Sequence, residues 1–337
     1  MSLEYDHIPV MLEEVNQILH PYEKGLYIDC TFGAGGYTKN ILKNKEVSVI
    51  SIDRDENIKI FSKEILKKNS NRFKLIIDKF SNLEEILKKE TNPPTAIIFD
   101  LGVSSLQIDN PERGFSYKNH GLLKMTMGNN NINAFDIVNK CSQERLRDIF
   151  WFFGEEREAN LIAKLIVQKR EDKEIETTKE LAEIILRAKR YKNKQSKKDC
   201  CAKVFQAIRM VVNQELTEIY KGLISAINVL SKNGKIIVVT FHSIEDKLVK
   251  KIFDYFSNQK KGVSRYLPES ENKKNSNIIK LINKKVLIPS KKELEKNNRS
   301  RSAKLRSVIK INDINFKIDR SFLNFEKFFE IEENCYA

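Results

Sequence analysis

Residues 27–53 constrain this chain more than any other stretch. Tyr27-Ile28-Asp29-Cys30 reads as a buried strand carrying an acid near its end. Thr31-Phe32-Gly33-Ala34-Gly35-Gly36 reads as a glycine-rich turn, and Tyr37 to Leu42 as a helix. Glycines let a backbone turn sharply and come close to a ligand that a Cβ would exclude. A second apolar run, Val47-Ser48-Val49-Ile50-Ser51-Ile52, ends in Asp53. That acid stands about 20 residues after the turn, the separation at which a carboxylate grips a ribose diol. In an open parallel sheet, ligands sit outside the carboxyl ends of the strands, beside such turns. The stretch therefore predicts an α/β fold with an adenosine-containing cofactor; a tight strand-to-helix turn without a ligand is the competing reading.

The missing residues decide which cofactor. In the dinucleotide pattern G-x-G-x-x-G the third glycine is replaced here by Thr38. No Gly-Lys-Ser/Thr follows, so the phosphate cradle of a P-loop is absent. S-adenosyl-L-methionine carries no phosphate, and Asp29-x-Thr31-x-Gly33-x-Gly35 suits its methionine end.

The strand–helix alternation continues with Phe73-Lys74-Leu75-Ile76-Ile77 and a helix opened by Ser81-Asn82-Leu83-Glu84, a capping-box sequence. Phe80 stands at the end of that strand, where an aromatic ring can lie on adenine or simply fill the core. Ala96-Ile97-Ile98-Phe99 predicts a fourth strand ending in Asp100. The small, apolar run after it puts Asp100, Ser104, Ser105 and Gln107 at the rim where cofactor and substrate would meet. From residue 106 to 215 the alternation stops. A loop centred on Arg113-Gly114-Phe115 gives way to helical patterns, one capped by Thr177-Thr178-Lys179-Glu180, and then to a basic link, residues 189–198. This predicts a helical domain, 106–215, inserted into a discontinuous core, 1–105 and 216–337. One long helix from Val204 to Leu230, a strand Lys235–Thr240 and a helix started by Ser243 and Asp246 follow. A basic excursion, 258–303, leads to a last strand, Ser307–Ile311.

With 337 residues and 41% hydrophobic side chains the chain has ample material for a core. A net charge of +14 points to a polyanionic partner, most simply nucleic acid, against a general lysine bias over the surface. The five cysteines form no C-x-x-C, and Cys200 and Cys201 are adjacent, which predicts reduced thiols and no metal site. No signal-peptide core or membrane-spanning run is present in the sequence, so a cytoplasmic protein is expected.

Seven motifs occur together and in order: Thr31-Phe32-Gly33-Ala34-Gly35-Gly36, Asp100-Leu101-Gly102-Val103-Ser104-Ser105, Arg113-Gly114-Phe115-Ser116, Phe205-Gln206-Ala207-Ile208-Arg209, Asn213-Gln214-Glu215-Leu216, Phe241-His242-Ser243-Ile244-Glu245-Asp246 and Arg301-Ser302-Ala303-Lys304-Leu305-Arg306. With these the chain resembles, from about His7 to Arg306, the bacterial ribosomal RNA small-subunit methyltransferase H family, also called MraW. The resemblance implies a class I S-adenosylmethionine-dependent methyltransferase core (Rossmann-like) with an inserted helical domain. It implies methylation of a cytosine exocyclic N4 in 16S ribosomal RNA near the decoding centre, with the small ribosomal subunit as partner. It also implies that Gly35, Gly36, Tyr37, Asp53, Phe80, Asp100 and Gln107 line the cofactor site. Two departures stand out. Tyr37 replaces the family's usual His, and Gly121-Leu122-Leu123-Lys124-Met125-Thr126-Met127 stands where the family has Gly-Pro-Leu-Asp-Met-Arg-Met.

Asp100 either accepts a hydrogen bond from the cytosine amine, as a catalytic group, or only orients the cofactor. His242 either contacts the substrate or orders the turn after the fifth strand. Arg113 offers a guanidinium for phosphate and Phe115 a ring for a flipped base, with loop packing as the alternative. Arg299 and Arg301 read as phosphate contacts. An assembly factor that has lost turnover and a small-molecule methyltransferase remain as competing functions. The oligomeric state is left open, a homodimer included.

Overall fold

The computed structural model describes residues 9–20, 22–189, 201–257, 277–313 and 320–335. Residues 190–198 of the basic link and the first part of the 258–303 excursion lie outside them. The chain forms two compact units, Met1–Gly102 with Glu218–Asp319 and Val103–Thr217 with Arg320–Ala337.

The first unit holds a seven-stranded sheet: β1 Gly25–Asp29, β2 Val47–Asp53, β3 Phe73–Ile77, β4 Ala96–Asp100, β5 Lys235–Thr240, β6 Ile279–Leu281 and β7 Lys304–Lys310. Their order is β3-β2-β1-β4-β5-β7-β6. The first five are parallel, while β7 runs antiparallel to both β5 and β6. Strands that are parallel throughout need both faces covered. Tyr27, Val49, Ile98, Ile237 and Leu305 pack on one face with Val15, Leu19, Tyr37, Ile41 and Ile65. The alternate residues Ile28, Ile50, Ile97, Phe99 and Val238 are equally buried. This is the open, mostly parallel α/β sheet that the strand–helix alternation predicts. The order reverses between β1 and β4, which is where such a sheet opens a crevice at the strands' carboxyl ends.

Six of the seven strands are expected from the sequence, β7 beginning at Lys304 rather than Ser307. The seventh, β6, lies in the lysine- and asparagine-rich excursion and spans only three residues. It forms because Ile279 is buried and its backbone pairs with Lys310 of β7.

In the second unit the helices Ala134–Lys140, Gln143–Gly154, Ala159–Asp172, Thr178–Ala188 and Ala202–Asn213 bury Ile149, Phe150, Phe153, Ile162, Ile166, Leu181, Ile185 and Ile208. The expected capping box at Thr177 and Glu180 forms. The single long helix expected from Val204 to Leu230 is instead two. Gln214 takes a left-handed conformation (φ 49°), ending the helix Ala202–Asn213 before Glu215–Val229 begins. The C-terminal segment also departs from the expected division, which gave 216–337 to the core. From Arg320 onward it packs with the helical unit, where the Phe328 ring meets Phe152 and Phe153 edge-on at 5.6 and 5.2 Å. Within that unit the buried Glu332 carboxylate caps the new helix start. Oε1 accepts from Leu216 N (3.0 Å), and Oε2 accepts from Thr217 N (2.8 Å) and Thr217 Oγ1 (2.6 Å).

Candidate active site

The turn after β1 owes its shape to three glycines with different duties. Gly35 is left-handed (φ 77°), and a Cβ there would lie 2.9 Å from Ile65 Cδ1 and the Phe32 ring. At Gly36 a Cβ would come within 2.2 Å of Pro9 Cγ. Packing alone therefore demands both. Gly33 is different. It is also left-handed (φ 52°), but its Cβ would meet nothing closer than the Thr31 carbonyl oxygen at 4.0 Å. Its backbone borders open space, which suits the methionine end read for Asp29-x-Thr31-x-Gly33-x-Gly35, although the set implied by the resemblance names only Gly35 and Gly36. The Tyr37 ring is buried in the core and its hydroxyl donates to the Val10 carbonyl. Only the Tyr37 backbone is left to face the turn.

Three acids end the strands around this turn. Asp29 of β1 is fully buried and accepts from Thr38 Oγ1 (2.6 Å) and Thr31 N (3.2 Å). Thr38 also meets Ser51 of β2 at 2.6 Å, a network the sequence reading did not single out. Burial pushes the Asp29 carboxyl above its ordinary range, against the Thr38 and Thr31 hydrogen bonds. Asp53, at the end of β2, takes Gly33 N on Oδ2 and Asp55 N on Oδ1, both at 2.9 Å. Burial raises its pKa to about 6. Asp100 ends β4; its N–H donates to Thr31 Oγ1 at 2.7 Å, tying β4 to the glycine turn. Its Oδ1 is buried with no hydrogen-bond partner among the described residues. Burial, then the neighbouring Asp29 and Glu245 charges, push Asp100 well above the usual carboxylate range.

Phe80 begins a short 3-10 turn, Phe80–Asn82, rather than preceding a helix capped by Ser81. The expected capping box does not form, because Leu83–Leu87 starts directly from that turn and Asn82 makes no side-chain cap. The Phe80 ring is half-buried and meets Phe99 edge-on at 5.4 Å.

His242 stands one residue earlier in its helix than expected. It is itself the N-cap of Ser243–Phe256: Nδ1 accepts from Glu245 N (3.4 Å), and Glu245 Oε2 accepts from Phe241 N (2.9 Å) and His242 N (3.3 Å). Its Nε2 lies 3.0 Å from Glu245 Oε1. Asp246, expected as a cap residue, is held by Arg306 (2.7 and 3.1 Å) and Lys304 (3.3 Å) of β7. Arg299 and Arg301 are exposed on the 3-10 segment Asn298–Ser302, just before β7.

The other three candidates belong to the helical unit. Gln107 is buried and closes a capping box, its side chain accepting from Ser104 N at 3.0 Å. Arg113 donates to the Thr126 carbonyl at 2.7 Å and lies 5.8 Å from the Phe115 ring centroid. Gly114 between them is left-handed (φ 70°), and a Cβ would strike the Leu122 carbonyl at 2.0 Å. The segment 121–127 alternates: Leu123, Met125 and Met127 are buried, while Leu122 and Lys124 are exposed. The family's apolar positions are thus kept on the buried side, and two of the three departures fall on the solvent side.

A protein family described as the MraW methylase family matches residues 4–311. Among curated proteins, the chain is 43% identical over 304 residues to the ribosomal RNA small subunit methyltransferase H of Wolbachia pipientis subsp. Culex pipiens, covering 90% of this chain and 98% of the relative. It is 40% identical over 309 residues to the protein of that name from Orientia tsutsugamushi (strain Boryong), covering 91% and 99%. The Ehrlichia canis protein is 41% identical over 307 residues, covering 90% and 100%.

Proposed function

The chain belongs to the MraW methylase family, and on that premise we propose that it methylates the exocyclic N4 of a cytosine in 16S ribosomal RNA near the decoding centre, in the cytoplasm, with the small ribosomal subunit as partner. The observation that carries the reading is the pairing of an open Gly33 turn with the orphan Asp100 oxygen at the point where the strand order reverses. The net charge of +14 and the substrate named in the relatives' titles support RNA. Among the described residues no helix is long and apolar enough to cross a membrane.

The residues present fit S-adenosylmethionine. Gly33 leaves the close approach that a methionine end needs, and Asp53 supplies an acid for the ribose hydroxyls. Phe80 offers a ring to adenine. Gly35, Gly36 and the Tyr37 backbone shape the turn, and Gln107 joins the set from the resemblance. When bound, the donor supplies a methyl group activated by a sulfonium charge.

This chain's own residues then position the amine. A cytosine amino group is a poor nucleophile because its lone pair is delocalised into the ring, so orientation contributes much of the acceleration. The ionised Asp100 accepts an N–H of that amine through Oδ1, favours its pyramidal form, and takes the proton lost as the N–C bond forms. Phe115 is assigned to stacking an extruded base, and Arg113, His242, Arg299 and Arg301 to contacts with the RNA.

The test is transfer of labelled methyl from S-adenosylmethionine to small subunits lacking the modification, followed by digestion to nucleosides. Label in N4-methylated cytidine is expected. Label in another nucleoside overturns the base assignment, and no label overturns turnover.

A further inference from the structure

Beside Phe80 lies a buried acid that no step above uses. Glu218 is 6% exposed. Its Oε1 lies 3.4 Å from Lys79 Nζ, the residue just before Phe80. Its Oε2 is buried with no hydrogen-bond partner among the described residues. One helical turn on, and so on the same helix face, Gly222 lets the Phe80 ring lie against the backbone; a Cβ there would be 2.5 Å from Phe80 Cδ2. Lys79-Phe80 and Glu218/Gly222 therefore interlock.

Buried carboxylate oxygens are almost always given a donor. Lys79 serves the other oxygen. Asp78, the remaining acid beside Phe80, already accepts from Lys79 N (2.7 Å) and Asn82 Nδ2 (2.8 Å) on Oδ1. If Phe80 carries the adenine, as proposed above, the ligand itself can bring the donor. The only N–H groups on an N9-substituted adenine are those of its 6-amino group. We propose that Glu218 is a specificity-determining residue that accepts the adenine 6-amino group of the methyl donor through Oε2. The inference rests on the donor reading in the preceding subsection, and its test separates the two.

Binding of S-adenosylhomocysteine and of its purine-riboside counterpart, which lacks the 6-amino group, is measured by calorimetry on the wild type, Glu218→Ala, Glu218→Gln and Asp78→Asn. The wild type is expected to prefer the adenine ligand about tenfold, the scale of one hydrogen bond to a charged group. In Glu218→Ala the preference should fall to within about twofold, through loss of adenine affinity alone. A merely structural Glu218 would weaken both ligands equally and leave the ratio intact, which overturns the assignment. Loss of the ratio in Asp78→Asn but not in either Glu218 variant overturns it in favour of Asp78. If the wild type binds neither ligand, the donor reading itself fails.

Discussion

Asp53 and Asp100 end the two strands that flank β1, and the structure treats them oppositely. Both are acids at the carboxyl end of a parallel strand, and burial raises the pKa of both. Asp53 has each oxygen engaged by a backbone N–H, one of them from the glycine turn. Asp100 has a buried oxygen that nothing in the described structure serves. A satisfied acid is pre-built: its geometry exists before a ligand arrives, and a ribose diol would use lone pairs left over. An unsatisfied buried acid is costly until a donor reaches it. Under the proposed function the first is a binding residue and the second a catalytic one, and the predictions can break that division.

The largest effect is expected at Asp100. Asp100→Asn keeps the shape but removes the charge that favours the developing cationic nitrogen. The single-turnover methylation rate should fall by about 10²–10³-fold, on the scale of lost oxyanion-hole donors. Cofactor affinity should change much less. Recovery of the full rate at saturating S-adenosylmethionine would make Asp100 a binding residue like Asp53 and erase the contrast.

Next comes Asp53→Ala, which should weaken S-adenosylhomocysteine binding about tenfold, roughly 1.4 kcal/mol, in calorimetry. The truncation also frees the N–H groups of Gly33 and Asp55, while Phe32 N on the Ile52 carbonyl (3.1 Å) still ties the glycine turn to β2. A rate deficit that persists at saturating cofactor would move Asp53 into the chemistry.

Glu332 supplies a third buried acid as a control, since its carboxylate is satisfied by three donors of the helix start. Glu332→Ala should destabilise the protein by about 1 kcal/mol, the usual cost of an N-cap, read as a lower denaturation midpoint. Unchanged stability would show that hydrogen-bond satisfaction is a poor guide to what a buried acid does, and would weaken the argument for Asp53 as well.

How much of this was legible beforehand depends on the range of the interaction. Strand-ending acids and the glycine turn are local patterns, so Asp53, Asp100 and the parallel sheet could be read directly. The capping box at Thr177 was local too, and it formed. The helix expected at Ser243 does begin there, but neither Ser81 nor Ser243 makes the cap because a neighbour won: a 3-10 turn at Phe80, and an imidazole acting as the cap at His242. Other features depend on residues far apart in the chain. Glu332 caps a helix start 115 and 116 positions away, and β6 exists only through β7. The state of each acid was equally hidden. That Gly33 would fill Asp53 while nothing would fill Asp100 is a consequence of the turn's folded path.

The smallest effect follows from pH, and it tests the division most finely. The Asp53 pKa is raised by burial to about 6, and the ionised form is the one that accepts ribose hydroxyls. Cofactor affinity should be full above that value, about twofold lower at pH 6, and level off about tenfold lower well below it, the loss expected of Asp53→Ala. Stability runs the other way. A carboxyl whose folded pKa lies above its unfolded value favours the folded state at low pH, and this contribution is lost as pH rises from about 4 to 6. Asp53→Asn should flatten both dependences. Burial, then the neighbouring Asp29 and Glu245 charges, push Asp100 well above the usual carboxylate range, so the single-turnover rate at saturating cofactor should carry its own rise with pH. Two separate midpoints, one in the dissociation constant and one in the rate, are the expected result. A single shared midpoint would mean that both curves report one titration, and the assignment of one acid to binding and the other to methyl transfer would fall.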